Sequence, residues 1–246
     1  MRPEIPFSHE NAEELNRMTL QVGLVGKDGI VMASDRRMWE YEEGSGSVGN
    51  VSKFLTAPGM VCCWSGDGLA IHAAYALRDL DWRDIPNDKD AIRDALRKAA
   101  IETRKEYVEY RSKLNQEVNE AVVRKVLVVC HDQLWILNLG FPRPTAEQSL
   151  DRAVAGDSRN TCRHFINKYA VNCTELPIDR LITLAAYTVL VAADENPEGV
   201  GGLEVVTIPT GAKPVFLSGA AEKDLVKACR YVDDNIRERL LDRFVP

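Results

Sequence analysis

Apolar positions along the chain recur with two different periods. From residue 19, TLQVGLVG and GIVMASD read as strands on either side of Lys27-Asp28-Gly29, and Asp-Gly between alternating apolar residues is a strong hairpin signal. VSKFLTAPGMVCCWSG repeats the arrangement around Pro58-Gly59, after a Gly- and Ser-rich loop, EEGSGSVGN. The period then changes to 3.6. GLAIHAAYALRDL and the long amphipathic stretch DKDAIRDALRKAAIETRKEYVEYRSKL predict two consecutive helices. VRKVLVVCHDQLWILNLG returns to strands with His131-Asp132 at the turn, and a third strand is expected over residues 152–155. Helices follow over residues 160–169 and 178–193, the second introduced by Pro177, which suits a helix start. GLEVVTIPTGAKPVFLS predicts a hairpin around Thr210-Gly211, and AEKDLVKACRYVDDNIRERLL a closing helix.

The order is therefore four strands, two helices, three strands, two helices, two strands and a helix. No strand is followed by a single crossover helix, which excludes a parallel doubly wound sheet. Apolar runs such as VLVVC and WILNL suit strands covered on both faces. The expected fold is α+β, a four-layer αββα sandwich of two antiparallel sheets flanked by helix pairs, formed by residues 19–246. Residues 1–18 are polar, carry two prolines and a short helical pattern over 11–17 that Ser8 or Asn11 would cap, and read as an N-terminal extension or propeptide.

Composition narrows the function classes. With 246 residues, 45% of them hydrophobic, the chain can bury one sizeable core. A net charge of -6, with basic and acidic residues interspersed, lacks the basic stripe that nucleic-acid binding requires. No apolar run is long enough to span a bilayer and the N-terminus lacks a secretory apolar stretch, so no membrane partner and a cytoplasmic location are expected. Six cysteines without CxxC spacing point to buried free thiols rather than disulfides or zinc, and four scattered histidines argue against a histidine metal site. Neither metal nor cofactor is expected.

The run TLQVGLVGKDGIVMASDRR, followed by VSKF and WSGDG, resembles the opening of 20S proteasome α/β subunits, which are N-terminal-nucleophile hydrolases. The likeness extends to the VGG segment before the last hairpin, and it is nearest to divergent bacterial proteasome homologues. In that family the mature chain begins with threonine, whose hydroxyl is the nucleophile and whose own α-amine takes the proton; Thr19 aligns with that residue. An amide nitrogen is no base, so this chemistry requires a chain that starts at Thr19. Met18 stands where self-processed members carry glycine, which admits either autocatalytic removal of residues 1–18 or a translation start at Met18 followed by methionine removal.

By the same resemblance Asp35 and Lys53 are the acid and lysine beside the threonine. Arg37 orients the loop, Gly66 offers its N–H to the oxyanion, and Met38, Val51 and Trp64 adjoin the substrate pocket. AGDSRN places Asp157, with Ser158 beside it, where many relatives have a serine touching the threonine amine; a carboxylate there would anchor the amine and raise its pKa. Pro197 and Val200 occupy the positions of the family's aspartate and serine, and Asp194 or Glu198 would substitute only after a loop shift. The implied function is a threonine peptidase or amidase in a homo-oligomeric ring acting on a peptide or protein, with an ATPase or other regulator as a further partner. A catalytically silent ring or scaffold subunit and a non-proteolytic hydrolase of the same fold remain the alternatives.

Overall fold

The computed structural model describes residues 19–42, 45–66, 68–116, 118, 124–140, 143–156, 159–197 and 199–242. The first hairpin forms as its Asp-Gly signal predicts: β1 (Leu20–Gly26) and β2 (Gly29–Ser34) pair antiparallel, Gly26 opposite Gly29. Asp28 at the turn also works at a distance, its Oδ1 accepting the Ile178 N–H at 2.8 Å. That contact caps the helix starting at Ile178, which has no side-chain cap of its own.

The chain continues through β3 (Arg37–Glu42) and β4 (Ser45–Asn50), then β5 (Phe54–Ala57) and β6 (Met60–Ser65). Helices α1 (Gly68–Arg78) and α2 (Lys89–Lys113) follow, the latter capped by Asp88, which accepts from the Asp90 and Ala91 N–H groups. Next come β7 (Lys125–Cys130), β8 (Gln133–Asn138), β9 (Thr145–Ser149) and β10 (Arg152–Gly156), then α3 (Arg159–Tyr169), a short 3-10 turn and α4 (Ile178–Glu195). β11 (Glu204–Pro209), β12 (Val215–Phe216) and α5 (Ala220–Asp242) complete it.

Three sheets result, ordered β10-β1-β2-β11-β12, β3-β4 and β5-β6-β7-β8-β9, with antiparallel pairing throughout. Strand alternation sorts the core into three clusters. Leu20, Val22 and Leu24 point to α4 and α5, where they meet Leu181, Val189, Leu225 and Cys229. Ile30, Met32, Val206 and Ile208 face Val61, Cys63, Leu127 and Val129 between the two five-stranded sheets. Cys62, Trp64, Val126 and Val128 pack on Ala70, Leu77, Leu96 and Ala100 of α1 and α2.

The expected four-layer sandwich of two sheets flanked by helix pairs is thereby corrected. The described residues form sheets of five, two and five strands, and α5 joins α3 and α4 so that one side carries three helices rather than a pair. The extra sheet arises where a loop was expected: RMWEYE carries β-favouring Trp39 and Tyr41, and its partner SGSVGN folds back along it in full register. β9 is likewise an added strand, so six strands precede α1 and four follow α2. The N-terminal extension, with its expected helical patch, lies outside the described residues.

All six cysteines are free and buried. Burial pushes the Cys62 and Cys130 thiols up to about 12, so neither holds appreciable thiolate at neutral pH. The folded protein should resist iodoacetamide at pH 8 and label fully in denaturant. Rapid native labelling, read by intact mass, would contradict this packing.

Candidate active site

Thr19 stands immediately before β1 with only 7% of its surface exposed. Its neighbour Leu20 reaches Asp35 twice. The Leu20 N–H donates to Asp35 Oδ1 at 2.8 Å, and the Asp35 N–H donates to the Leu20 carbonyl at 3.2 Å. Asp35 follows β2 directly, so the β1–β2 ladder carries its carboxylate back to the head of the chain's first strand. Lys53 completes the arrangement, its Nζ lying 2.8 Å from both Asp35 oxygens, while the Arg37 N–H donates to Oδ2 at 3.1 Å.

Both charged side chains are fully buried. Burial pushes the Asp35 carboxyl up and the Lys53 ammonium down, each opposed by its partner's charge and hydrogen bonds. The linkage follows from those directions. A raised Asp35 makes the folded chain hold a proton that the unfolded chain releases, so folding weakens as pH rises through the folded pKa. A lowered Lys53 does the reverse, weakening folding as pH falls below the ordinary lysine range. Burial thus works against the charged pair, and the mutual charge and hydrogen bonds of Asp35 and Lys53 work for it.

Two glycines allow chain segments to close on this centre. Gly156, at φ +102°, ends β10 opposite Leu20, and a Cβ there would lie 1.7 Å from the Thr19 carbonyl oxygen. Sequence reasoning missed it; the signal was a glycine ending the apolar run AVAG. Gly201 lies under Arg37, where a Cβ would come within 2.7 Å of Nε. Arg37 Nη1 donates to the Pro197 carbonyl, and the Arg36 N–H donates to the Gly201 carbonyl at 2.8 Å, so the VGG turn is bound to the segment after Asp35.

Of the expected site residues, Asp35 and Lys53 come together one residue from Thr19, with Arg37 on the same carboxylate. Gly66 follows β6 at φ +116°, a conformation suited to glycine. Met38, Val51 and Trp64 meet in one apolar cluster, Trp64 only 6% exposed and its ring 5.9 Å from Lys53 Nζ. Val200 is buried in the core under α4, and Asp194 is exposed. Asp157, Ser158 and Glu198 lie outside the described residues. A groove of about 720 Å³, lined by Met60, His131, Ile208 and Phe216 among others, sits at the opposite strand ends and contains none of the expected site residues. Among the described residues no group of three or more His, Cys, Asp or Glu is placed to hold a metal ion, and no helix is long and apolar enough to cross a membrane.

The structure is an α+β fold of antiparallel sheets and helices with a buried acid–lysine pair at the head of β1. Solved structures share this fold over nearly the whole chain. Anbu (ancestral beta-subunit) from Yersinia bercovieri matches with a TM-score of 0.66 at 12% identity, covering 92% of this chain and 97% of that one. The Anbu complex from Pseudomonas aeruginosa, solved as a helical assembly, gives 0.67 at 14% identity with the same coverage. An Anbu Gly-1 mutant from Hyphomicrobium sp. strain MC1 gives 0.61 at 13%, covering 93% and 98%. No family model and no curated protein matches the chain. The assignment to the 20S proteasome α/β subunits is corrected accordingly: the similar structures are Anbu proteins, and at these identities the likeness is one of fold.

Removing one member of the buried pair should strand the other. Lys53→Met is expected to cost about 3–5 kcal/mol in chemical unfolding, and adding Asp35→Asn should recover part of it, because it removes the stranded charge and its oxygen still accepts the Leu20 N–H, although the amide NH2 then faces the Arg37 donor. Additive losses in the double variant would contradict a paired charge.

Proposed function

We propose that this protein is an N-terminal threonine hydrolase, a peptidase or amidase, acting as a self-assembling subunit. One observation carries the reading: Leu20 N–H and Lys53 Nζ share the Asp35 carboxylate, which ties a fully buried ammonium to the residue after Thr19. In this reading the chain is cut before Thr19. Thr19 Oγ1 attacks the substrate carbonyl carbon while the freed α-amine takes its proton, and Lys53 lowers the cost of the developing charge. The Gly66 N–H receives the oxyanion. Collapse returns the proton to the leaving amine and leaves an ester on Thr19, which water hydrolyses with the same amine as base. Asp157 holds the amine, and Met38, Val51 and Trp64 bound the pocket for the residue before the scissile bond.

The second reading, a silent scaffold subunit, draws on Val200. Its position is the family serine's, and here an apolar side chain is buried in the core with no hydroxyl to offer. Mass and labelling separate the two. In the active case the intact mass begins at Thr19, a probe that bridges the hydroxyl and amine of an N-terminal threonine forms one adduct, and Thr19→Ala abolishes turnover while leaving assembly intact. Thr19→Ser keeps partial activity. A chain intact from Met1, without adduct and with Thr19→Ala equal to wild type, would falsify the enzyme.

Assembly rests on exposed apolar side chains of the outer helices, Ile101 and Tyr110 on α2 and Tyr231 and Ile236 on α5. A head-to-tail contact through such faces closes into a ring or continues as a helix depending on its rotation. Light scattering at micromolar concentration should report a multiple of the chain mass; a monomer would remove the assembly.

A further inference from the structure

Lys53 is carried on residues 51–53, a link between β4 and β5 that belongs to neither strand. Its backbone therefore needs anchors outside a ladder. Three are present: the Val51 N–H donates to the Arg36 carbonyl at 2.8 Å, the Trp64 N–H to the Lys53 carbonyl at 3.3 Å, and the Ser52 hydroxyl to Glu204 Oε1 at 2.9 Å. The third comes from a different part of the chain. Glu204 opens β11 and is the register partner of Ser34, the residue before Asp35, so the β2–β11 ladder fixes where its side chain starts.

The Glu204 carboxylate is partly buried, with Oε2 enclosed and unpartnered. Burial raises its pKa. Against that, the Ser52 hydroxyl, the Arg36 charge and the Lys53 backbone N–H favour its ionised form, while Glu222 on α5 opposes it. A glutamate opening an apolar strand would ordinarily face solvent; here it reaches back to the lysine link.

We propose that Glu204 is a positioning residue of the site, holding the root of Lys53 as Asp35 holds its tip. Two carboxylates at neighbouring ends of β2 and β11 then define the lysine: one takes Ser52 and faces the Lys53 amide, the other takes the ammonium. The assignment rests on the hydrolase reading for its catalytic consequence but not for its geometry.

The test uses the mature protein with Glu204→Gln, Glu204→Ala, Ser52→Ala and Ser52→Thr. Expected are a fall in kcat on the order of 10–100-fold for Glu204→Ala, a KM within about twofold of wild type, and a smaller fall for Glu204→Gln, which keeps an acceptor for Ser52. Independently of activity, the side-chain nitrogen resonance of Lys53, assigned by its loss in Lys53→Arg, should shift or broaden in Glu204→Ala. An unchanged Lys53 resonance in a folded Glu204→Ala protein overturns the proposal. If wild type neither turns over nor forms the Thr19 adduct, the hydrolase reading fails and the resonance alone decides the role of Glu204. If both Glu204 variants fail to fold, Ser52→Ala and Ser52→Thr decide it: the first removes the donor to Glu204 together with the acceptor of the Phe54 N–H, and the second keeps both, so a resonance moved by alanine and restored by threonine supports the anchor and one unmoved by alanine ends it.

Discussion

Everything at the head of this fold depends on one carboxylate accepting four hydrogen bonds. Asp35 receives the Leu20 and Arg37 N–H groups and two contacts from Lys53 Nζ, and so joins the start of β1, the segment after β2 and the link before β5. Leu20 and Arg37 each open a ladder there, with Gly156 and Asn50 opposite, while residues 51–53 belong to no strand; the carboxylate gives the Leu20 and Arg37 N–H groups and the lysine ammonium a common acceptor. The same convergence explains why the lysine stays buried: desolvation disfavours its charge, and the carboxylate with its two backbone donors is what offsets it.

The surrounding structure is arranged to let chains approach this point closely. Gly156 brings β10 against the Thr19 carbonyl, and Gly201 brings the VGG turn under the Arg37 guanidinium. A methyl group would block the first outright, meeting backbone, and would push the Arg37 guanidinium aside at the second. The apolar clusters supply the opposing rigidity: Leu20, whose N–H and carbonyl both meet Asp35, is itself fully buried against the helix side of the sheet. A side chain that cannot move fixes the backbone atoms next to Thr19 to the charged pair.

Much of this was legible in the sequence because the signals are local. Lys27-Asp28-Gly29, Pro58-Gly59, His131-Asp132 and Thr210-Gly211 all lie at turns between paired strands, and the helix periods hold. EEGSGSVGN, which holds β4, reads as a loop because Gly and Ser suppress its strand propensity, whereas pairing with RMWEYE organises it. The number of layers failed for a different reason: local periodicity says that a helix has an apolar face, not which sheet face it covers, and α5 joined α3 and α4. Asp35, Lys53 and Arg37 were found through resemblance and meet in space; Gly156 and Glu204 were not, because their partners Thr19 and Ser52 lie more than a hundred residues away and no local pattern records them.

The environment around Thr19 also bears on how an amine there would behave. A free α-amine has a pKa of about 7.7–8.0 in water. At a position 7% exposed, burial and the Lys53 ammonium would favour the neutral form of such an amine, while the Asp35 carboxylate shared by Leu20 and Lys53 would favour its charged form. Asp157, the residue after Leu20's ladder partner Gly156, would add to the charged form if its carboxylate reached the amine. In the hydrolase reading, the balance between the lysine and these carboxylates would set the pH at which Thr19 gains a working base. Replacing Asp157 with asparagine would then move the lower limb of the pH–rate profile to lower pH, whereas a site without an N-terminal amine would have no such limb to move.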